Sequence, residues 1–437
     1  MVDVNSSQVA ARAMWAKANA NVEKLRNVDP YLIDLSLREN SVGSRVGQTI
    51  KEKLAMLPKL RAFGFKNILL GTLDYSISDE LEVDDDFIMY LRDHKIDMTG
   101  GFVFSDIGLV ANDGTFTPSP SMLKMKAYGV PNTLHEIYLS KAGMAGQYDL
   151  ATLLRSVPAS IKWVNDNIIG DHGSKPRILI NIVDGCDAFA EDPEGTCAIM
   201  CLLAQQQIEG ISIEDDRGTY MPFQVGAIVE MARACLPAPL KILVHMHSGG
   251  GFENASLLEA LLRGADGVWG ALPKRAAIIG HASLGELIAN LVRVGNPHMK
   301  ATFQLNQLLP LATSLQVEDD EEPLPADLPI LGNNAYRCTL DFFRQTPGRF
   351  MDLVPEAIGG TYRYRICPLV SDPPVLAGRL AEVTGQPATD FPHDIMVQMI
   401  RLMRRDLRAG NRIVYDEPVN LLNLYTRAGG QPSVAQV

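Results

Sequence analysis

Long hydrophobic runs are missing from this sequence, and none of its apolar stretches approaches the ~20 residues that a membrane-spanning helix needs. Cysteine is scarce, because six cysteines in 437 residues are too few for the disulfide framework of a small secreted protein. Basic residues are not in excess, since 40 Lys and Arg face 51 Asp and Glu and give a net charge of −11. That balance argues against nucleic acid or an anionic membrane as a partner. The composition is otherwise ordinary for a globular protein, with 46% hydrophobic and 21% charged residues.

The first residues lack the basic start and the apolar core of a secretory signal peptide. Acidic Asp3 and Glu23 are mixed there with basic Arg12 and Lys17. Together with the sparse cysteines, this makes the reducing cytoplasm the expected compartment by default.

Short apolar runs alternate with amphipathic helical patterns between about residues 31 and 295. Such runs, bounded by Gly, Pro or charged residues, are typical of buried parallel strands. The eight predicted strands are 31–37, 67–73, 97–104, 133–140, 177–185, 210–216, 240–247 and 267–272. Eight strand–helix units in about 250 residues favour an α/β fold of the (β/α)8 TIM barrel type, in which polar residues at the carboxyl ends of the strands form the active site.

The barrel is predicted to occupy residues 31–300, after a helical N-terminal extension over residues 1–30. Residues 301–329 include the acidic, proline-rich run VEDDEEPLPADLP and are interpreted as a linker. Residues 330–437 show short helical patterns and one strand-like run. They predict a smaller, mostly helical C-terminal subdomain that covers the site or forms a dimer contact.

The end of the seventh predicted strand carries His245-Met246-His247. Residues two apart in a strand point to the same side, so both imidazoles can face the mouth of the barrel. Two neutral imidazoles beside a carboxylate suit Zn²⁺, Mn²⁺, Fe²⁺ or Co²⁺. The alternative is that one histidine lines the barrel and the other packs in the core.

Three polar residues stand at the end of the first strand, Asp34, Arg38 and Glu39. The Arg38 guanidinium suits bidentate capture of a carboxylate or stabilisation of an enolate oxygen. Glu39 can supply a hard oxygen ligand to a metal. The alternative for this group is a surface salt bridge, which contributes little to stability.

Further candidates stand at other strand ends. Asp215 is a possible partner of a ligand histidine, and His281, at the start of the last barrel helix, is a possible metal ligand, acid/base group or helix cap. Substrate contacts are predicted for Arg38 and for the residues Ser140, Arg217 and Ser248.

Several of these segments resemble the metal-dependent pyruvate-carboxyltransferase type of barrel, which includes isopropylmalate, homocitrate and citramalate synthases and hydroxymethylglutaryl-CoA lyase. IDLSLRE is similar to its D-x-T-L-R-D pattern, IEDDRGTYMP to D-T-x-G-x-x-x-P, and HMHSGGG to H-x-H-D-x-x-G. The stretch that ends GHASLGEL resembles one that ends G-N-A-S-L-E-E. Beyond the barrel, LPILGNNAY and FMDLVPEAIGG look like segments of the synthases.

The resemblance implies a role for each matching residue. Arg38 falls on the arginine that binds the 2-oxo acid, and Glu39 on the metal-ligand aspartate. His245 and His247 fall on the two ligand histidines, and His281 on an asparagine near the metal. The implied chemistry is an aldol or Claisen addition of an acyl-CoA to a 2-oxo acid, with a divalent metal (Mn, Zn, Mg or Co) as cofactor and a homodimer as the assembly.

The sequence also departs from the family pattern. Glu39 is one methylene longer than aspartate, and Ser248 replaces an aspartate. Cys186 stands where strand 5 of the synthases offers a glutamate, and Asp187 next to it is the candidate catalytic substitute. The synthases' histidine and tyrosine in the second domain align with Phe343 and Phe350. Phenylalanine cannot remove a proton, so a base has to come from another group: the candidates are Asp216, His281 and Tyr362.

Three hypotheses follow. The first is condensation of an acyl-CoA with a 2-oxo acid to give a 2-hydroxy di- or tricarboxylate. The second is the related cleavage of a hydroxy acid at the same metal site. The third is a non-catalytic relative that binds a metal or a ligand.

Overall fold

The structure of the protein is a computed structural model, which describes residues 4–38, 46–73, 81–273, 279–345 and 353–431. The chain divides into two compact units, residues 1–323 and residues 324–437. No helix in the described part of the chain is long and apolar enough to cross a membrane.

The first unit contains a closed barrel of eight strands, each parallel to its neighbours, with the eighth paired to the first. The predicted TIM barrel is therefore confirmed. The strands are β1 (Tyr31–Asp34), β2 (Asn67–Thr72), β3 (Gly101–Asp106), β4 (Asn132–Ile137), β5 (Ile178–Ile182), β6 (Gly210–Asp215), β7 (Lys241–Met246) and β8 (Gly267–Gly270). Two shorter antiparallel strands, Leu109–Val110 and Phe116–Thr117, follow β3.

Helices follow or precede the strands of this unit. They are α1 (Val4–Asn27), α2 (Ile50–Phe63), α3 (Val83–Asp93), α4 (Pro120–Tyr128), α5 (Lys141–Met144), α6 (Leu150–Asn167), α7 (Gly185–Glu191), α8 (Pro193–Leu203), α9 (Pro222–Cys235), α10 (Glu253–Leu262), α11 (Leu284–Arg293), α12 (Pro297–Thr302) and α13 (Leu308–Asp320). Single 3-10 turns lie at Asp171–Gly173 and Leu305–Gln307.

Alternation along the strands sends one set of side chains into the barrel. The apolar members of that set are Ile33, Leu35, Leu69, Phe102, Phe104, Leu134, Leu179, Leu243 and Trp269. Each residue two positions further along its strand points the same way. The buried polar residues that follow Leu179 and Leu243 at that spacing, Asn181 and His245, therefore face the interior above this apolar layer.

The interpretation of residues 301–329 as a linker is wrong for most of that range, because it contains the end of α12, the 3-10 turn Leu305–Gln307 and all of α13. Leu308, Leu311 and Leu315 are buried and recur at helical spacing along α13. The acidic end of α13 is held by α2 and the loop before it, since Lys59 pairs with Glu318 and the Gln48 side-chain amide donates to Asp319 at 3.3 Å. Acidic composition predicted a solvated linker, but these partners and the buried leucines stabilise a helix.

The second unit has its own core. It contains α14 (Asp341–Gln345), α15 (Pro373–Thr384), α16 (His393–Arg408) and α17 (Pro418–Arg427), with 3-10 turns at Pro355–Ile358 and Ala388–Asp390. Two short parallel strands pair Arg337–Cys338 with Arg363–Tyr364. The apolar face of α16, with Met399, Leu402 and Met403, is buried within this unit. Its predicted role in covering a site or in dimerisation stays a prediction.

Candidate metal centre

Three histidines meet at the carboxyl end of the barrel. His245 lies in β7, His247 follows directly after that strand, and His281 precedes α11. The backbone brings them together, because His247 and His281 form an isolated antiparallel bridge. The His281 ring centroid lies 4.3 Å from those of His245 and His247, and one nitrogen of each of the three residues lies within 4.8 Å of the others.

The hydrogen bond of His245 defines which of its nitrogens can bind a cation. Its ring stacks on Trp269 with centroids 3.5 Å apart, and Nδ1 lies 2.9 Å from the Trp269 carbonyl oxygen. A carbonyl only accepts, so Nδ1 carries the hydrogen and the lone pair is on Nε2. That Nε2 is buried and has no hydrogen-bond partner among the described residues. This donor fits a metal ion, because a buried lone pair of this kind otherwise carries a desolvation penalty.

Burial also makes two of the histidines suitable ligands. It lowers the pKa of His245 well below its usual value, and the charges of His247 and Arg38 lower it further. The pKa of His281 is likewise lowered by burial first, and then by His245, His247 and Arg38. Both rings are therefore neutral at neutral pH, which is the form that coordinates metal ions.

Arg38 is buried just after β1, and its guanidinium reaches the interior of the barrel, where the Phe104 ring that it contacts lies 5.6 Å from the ring of Trp269. Its Nε donates to Thr72 Oγ1 at 3.2 Å, and its guanidinium lies 4.7 Å from the ring centre of Phe104. These contacts fix the orientation of the guanidinium, and its role in binding a substrate carboxylate stays a prediction. The predicted ligand Glu39 lies outside the described residues.

A buried ion pair supports the ends of β1 and β2. Lys53 in α2 lies 2.8 Å from Asp84 in α3, and its Nζ also donates to the Leu37 carbonyl next to Arg38. Asp84 accepts a 2.7 Å hydrogen bond from the backbone of Thr72. Gly71 allows this approach, because a Cβ at that position would lie 2.6 Å from the Asp84 carboxyl carbon. The Leu37 carbonyl and the Thr72 backbone, which lie next to Arg38, are thus both held by side chains of the helix layer.

Glu214 is the residue that sequence reasoning missed. Its Oε1 lies 3.0 Å from His247 Nε2, and its Oε2 accepts a 2.9 Å hydrogen bond from the Asn181 side-chain amide. All three side chains are buried. Trp269 donates to Ser212, so alternation along β6 places Glu214 inside the barrel as well. The signal available in the sequence was the position of Glu214 two residues after Ser212 in a predicted strand, because residues at that spacing lie on the same side.

Asp215, predicted as a possible partner of a ligand histidine, does not take that role. Its position in β6 alternates with Glu214, and its Oδ2 accepts a 2.9 Å hydrogen bond from the Tyr220 backbone. Asp216 stands closer to the cluster but is solvent-exposed, with Oδ1 4.0 Å from His247 Nε2 and a side chain that is 56% exposed. It remains a candidate base at the mouth.

Asp187 and Arg217 bind each other. Arg217 Nη2 lies 2.6 Å from Asp187 Oδ1, and the Tyr220 hydroxyl donates to the same oxygen at 2.8 Å. Next to Asp187, burial raises the pKa of the Cys186 thiol, and the charges of nearby carboxylates add to the effect. Cys186 is therefore a neutral thiol and does not replace a glutamate. Catalysis by Asp187 and a substrate contact by Arg217 stay predictions.

Ser140 and Ser248, the two serines predicted to contact the substrate, lie in loops. Ser140 is the N-cap of α5, where its hydroxyl accepts a 3.0 Å hydrogen bond from the Gly143 backbone. Ser248 donates through Oγ to the His281 carbonyl at 3.2 Å and so helps to hold that histidine. Substrate binding by either serine is a prediction beyond these contacts. Phe350 and the side chain of Phe343 lie outside the described residues.

No family model and no curated protein matches this sequence. Solved structures do match in fold. An HMG-CoA lyase from Acinetobacter baumannii, in complex with coenzyme A and 3-methylmalate, superposes with a TM-score of 0.54 at 15% identity and covers 69% of this chain and 94% of its own. An HMG-CoA lyase from Pseudomonas aeruginosa gives 0.53 at 13% identity over 67% and 93% of the two chains. One from Bacillus subtilis gives 0.52 at 16% identity over 68% and 98%.

These likenesses define the class of barrel. The chain has the fold of the hydroxymethylglutaryl-CoA lyases, which confirms at the level of the fold the resemblance predicted from the sequence. At 13–16% identity the likeness shows the fold and not the reaction.

Proposed function

We propose that this protein is a divalent-metal-dependent enzyme that makes or breaks a carbon–carbon bond at C2 of a 2-oxo or 2-hydroxy acid. The observation that carries the proposal is the meeting of three buried histidines beside buried Arg38. His245, His247 and His281 are the residues that would hold the cation. When bound, the cation supplies Lewis-acid polarisation of the oxygen on the reacting carbon.

Arg38 orients the acid substrate in this proposal. Its guanidinium is planar and presents a fork of donors that matches a carboxylate. Contact with Phe104 and with Thr72 limits its movement, so little conformational freedom is lost when the substrate binds. A carboxylate held there places C2 and its oxygen towards the histidines in this proposal, because Arg38 lies over Phe104, the Phe104 ring contacts Trp269, and Trp269 stacks on His245.

In the condensation direction the enzyme joins an acyl-CoA to a 2-oxo acid. A base has to remove a proton from the carbon next to the thioester. Asp216 is the described carboxylate best suited to this step, since it is exposed at the mouth and lies 4.0 Å from His247 Nε2. The synthase-like segments after residue 325 support this direction.

In the cleavage direction the same site splits a 2-hydroxy acid into a 2-oxo acid and an enolate. Asp216 then takes the hydroxyl proton or returns a proton to the released fragment. The fold likeness to HMG-CoA lyases, which spans 93–98% of those chains, supports this direction. The coenzyme A and 3-methylmalate bound to the Acinetobacter baumannii lyase identify substrates worth testing.

The two directions are separated by their products. We expect metal-loaded protein to release free thiol from one pairing in a panel of 2-oxo acids and acyl-CoAs, or to release pyruvate, oxaloacetate or glyoxylate from a hydroxy acid. If the metal-loaded protein forms no product in either panel, the result contradicts an enzymatic role and favours the non-catalytic alternative.

Two variants test the assignment of roles. Arg38→Lys replaces the guanidinium fork by a point charge, so kcat/KM should fall by roughly 10²–10³ while metal binding stays unchanged. His247→Ala should instead lose the metal. Equal metal loss in both variants would contradict the separate role of Arg38.

A further inference from the structure

We propose that Glu214 is the carboxylate ligand of this metal centre, coordinating through Oε1 beside His247 Nε2. The inference rests on the proposed metal-dependent function and deepens it. It assigns to strand β6 the oxygen ligand that the sequence resemblance places at Glu39, after β1.

The distance between the two atoms fits a shared ion. Zn²⁺ binds histidine nitrogen and carboxylate oxygen at about 2.0–2.2 Å, so two neighbouring ligand atoms 3.0 Å apart subtend an angle of roughly 90° at the metal. That angle lies below the tetrahedral one, and a separation of roughly 3.4 Å would restore tetrahedral geometry. Oε1 of Glu214 and Nε2 of His247 are 3.0 Å apart. In the absence of the ion, a proton between the two atoms accounts for the same contact.

The barrel register brings Glu214 to the histidines. Glu214 in β6 is the register partner of His245 in β7, and both side chains point inside the barrel. Glu214 therefore lies beside the residue whose buried Nε2 lacks a hydrogen-bond partner. His247 belongs both to the group of three histidines and to a second group with Glu214 and Asp216, so it links the carboxylate to the lone pair of His245.

Asn181 prepares Glu214 for coordination through a single oxygen. Its Nδ2 donates to Oε2 at 2.9 Å, which leaves Oε1 directed at His247. Carboxylate ligands of metals are commonly fixed by such a hydrogen bond on the other oxygen. The Asn181 Oδ1 atom is buried and has no hydrogen-bond partner among the described residues. It is an acceptor available to a water or a substrate hydroxyl at the centre.

Burial distinguishes Glu214 from Asp216. Glu214 is 5% exposed, whereas the Asp216 side chain is 56% exposed and lies 1.0 Å further from His247 Nε2, at 4.0 Å. A buried carboxylate needs a compensating cation more than an exposed one does, because it has lost its hydration. Asp216 belongs to the same group of potential ligands as Glu214 and His247, so Asp216→Asn tests whether the exposed carboxylate binds the ion instead.

The test uses the full-length chain, with Co²⁺ for its visible spectrum and Zn²⁺ for thermal-shift titration. For Glu214→Gln we expect an altered cobalt spectrum and an apparent Zn²⁺ affinity lowered by more than about 100-fold, beyond the ~10–100-fold loss typical of residues that only orient a ligand. Asp216→Asn should keep the wild-type spectrum. Glu214→Asp, which retains the charge, should give an intermediate affinity and covers the case in which the glutamine variant does not fold.

Two results overturn the assignment of Glu214 alone. One is a wild-type cobalt spectrum for Glu214→Gln with affinity within tenfold of wild type, which leaves Glu214 only the hydrogen-bond partner of His247. The other is a Glu214→Gln variant that binds the metal as the wild type does, together with a Glu39→Gln variant that loses the metal. Wild-type protein that binds neither ion overturns this inference and the proposed function together.

Discussion

At the scale of single residues, histidines in this barrel differ by the side of the strand on which they lie. His245 shares the inner side with Leu243 and presents a buried nitrogen to the metal centre. His135 follows the inward-facing Leu134 in β4, so it points outward to the helix layer. There its Nδ1 donates to the Ser105 carbonyl at 3.2 Å. The His135 Nε2 is also buried without a hydrogen-bond partner among the described residues, but His135 belongs to neither group of potential metal ligands found in that part of the chain. Its outward position therefore separates it from the histidines of the metal centre.

The first prediction concerns the pH dependence of stability. Burial lowers the pKa of His135 from 6.5 to about 4. Below pH 6.5 the unfolded chain therefore binds a proton that the folded chain does not, and the stability from this residue is lost progressively as the pH falls towards 4. Without the titrating ring, His135→Asn should reduce that loss by up to about 3 kcal/mol.

Urea unfolding of both proteins between pH 8 and pH 4 measures the effect. The variant should be less stable at pH 8, because its smaller side chain leaves a cavity. Its free energy of unfolding should decline less steeply below pH 6.5. Parallel pH profiles would contradict the burial of a neutral imidazole.

At the scale of elements, helices α2 and α3 fix the strand ends that present Arg38. The Lys53–Asp84 pair is fully buried and ties the two helices to the Leu37 carbonyl and to the Thr72 backbone. A buried pair adds little net stability over an apolar pair, but removal of one partner leaves an uncompensated charge. We infer that this ion pair specifies geometry at the mouth of the barrel.

The second prediction is that Lys53→Met destabilises the protein by about 3–5 kcal/mol and lowers kcat/KM through the displaced Arg38. The double variant Lys53→Met with Asp84→Asn should recover part of the stability, because the buried charge is then absent from both partners. Chemical unfolding measures both changes. A double variant no more stable than Lys53→Met would contradict the electrostatic explanation.

At the scale of the whole molecule, the proposed metal centre joins parts of the chain that are far apart in sequence. It would connect β6, β7 and the segment before α11, so a bound ion would stabilise the folded barrel as well as serve chemistry. The proposed donors are three imidazoles and one carboxylate. Nitrogen donors favour Zn²⁺ and Co²⁺ over Mg²⁺, which prefers oxygen ligands.

The third prediction is that Zn²⁺ or Co²⁺ raises the melting temperature of chelator-treated protein more than Mg²⁺ does at equal concentration. An ion present at 100 times its dissociation constant should add about 2.7 kcal/mol to the free energy of unfolding. Differential scanning calorimetry of the intact chain measures the shift. A larger effect of Mg²⁺ would point to a centre dominated by oxygen ligands.

The assembly state belongs to the same scale and stays a prediction. A homodimer is expected from the resemblance to the synthases and the lyase. Light scattering of the full-length chain at micromolar concentration tests it, and a monomer under those conditions contradicts it.

Several features follow from the sequence by itself. Alternating strand and helix patterns predicted the closed barrel, because hydrophobic periodicity records which faces are buried. The His-x-His spacing placed His245 and His247 on one side, since side chains repeat every two residues in a strand. The position of Arg38 at a strand end predicted a residue at the mouth of the barrel.

Other features depended on the tertiary structure, because they arise between segments distant in the chain. The proposed role of Glu214 follows from the register of β6 against β7 and from Asn181 in β5. His281 joins the cluster through its bridge to His247. The acidic end of α13 is a helix and not a linker because Lys59 and Gln48 reach it from α2 and the preceding loop. Local patterns record which residues are buried, but only the closed barrel decides which buried residues meet.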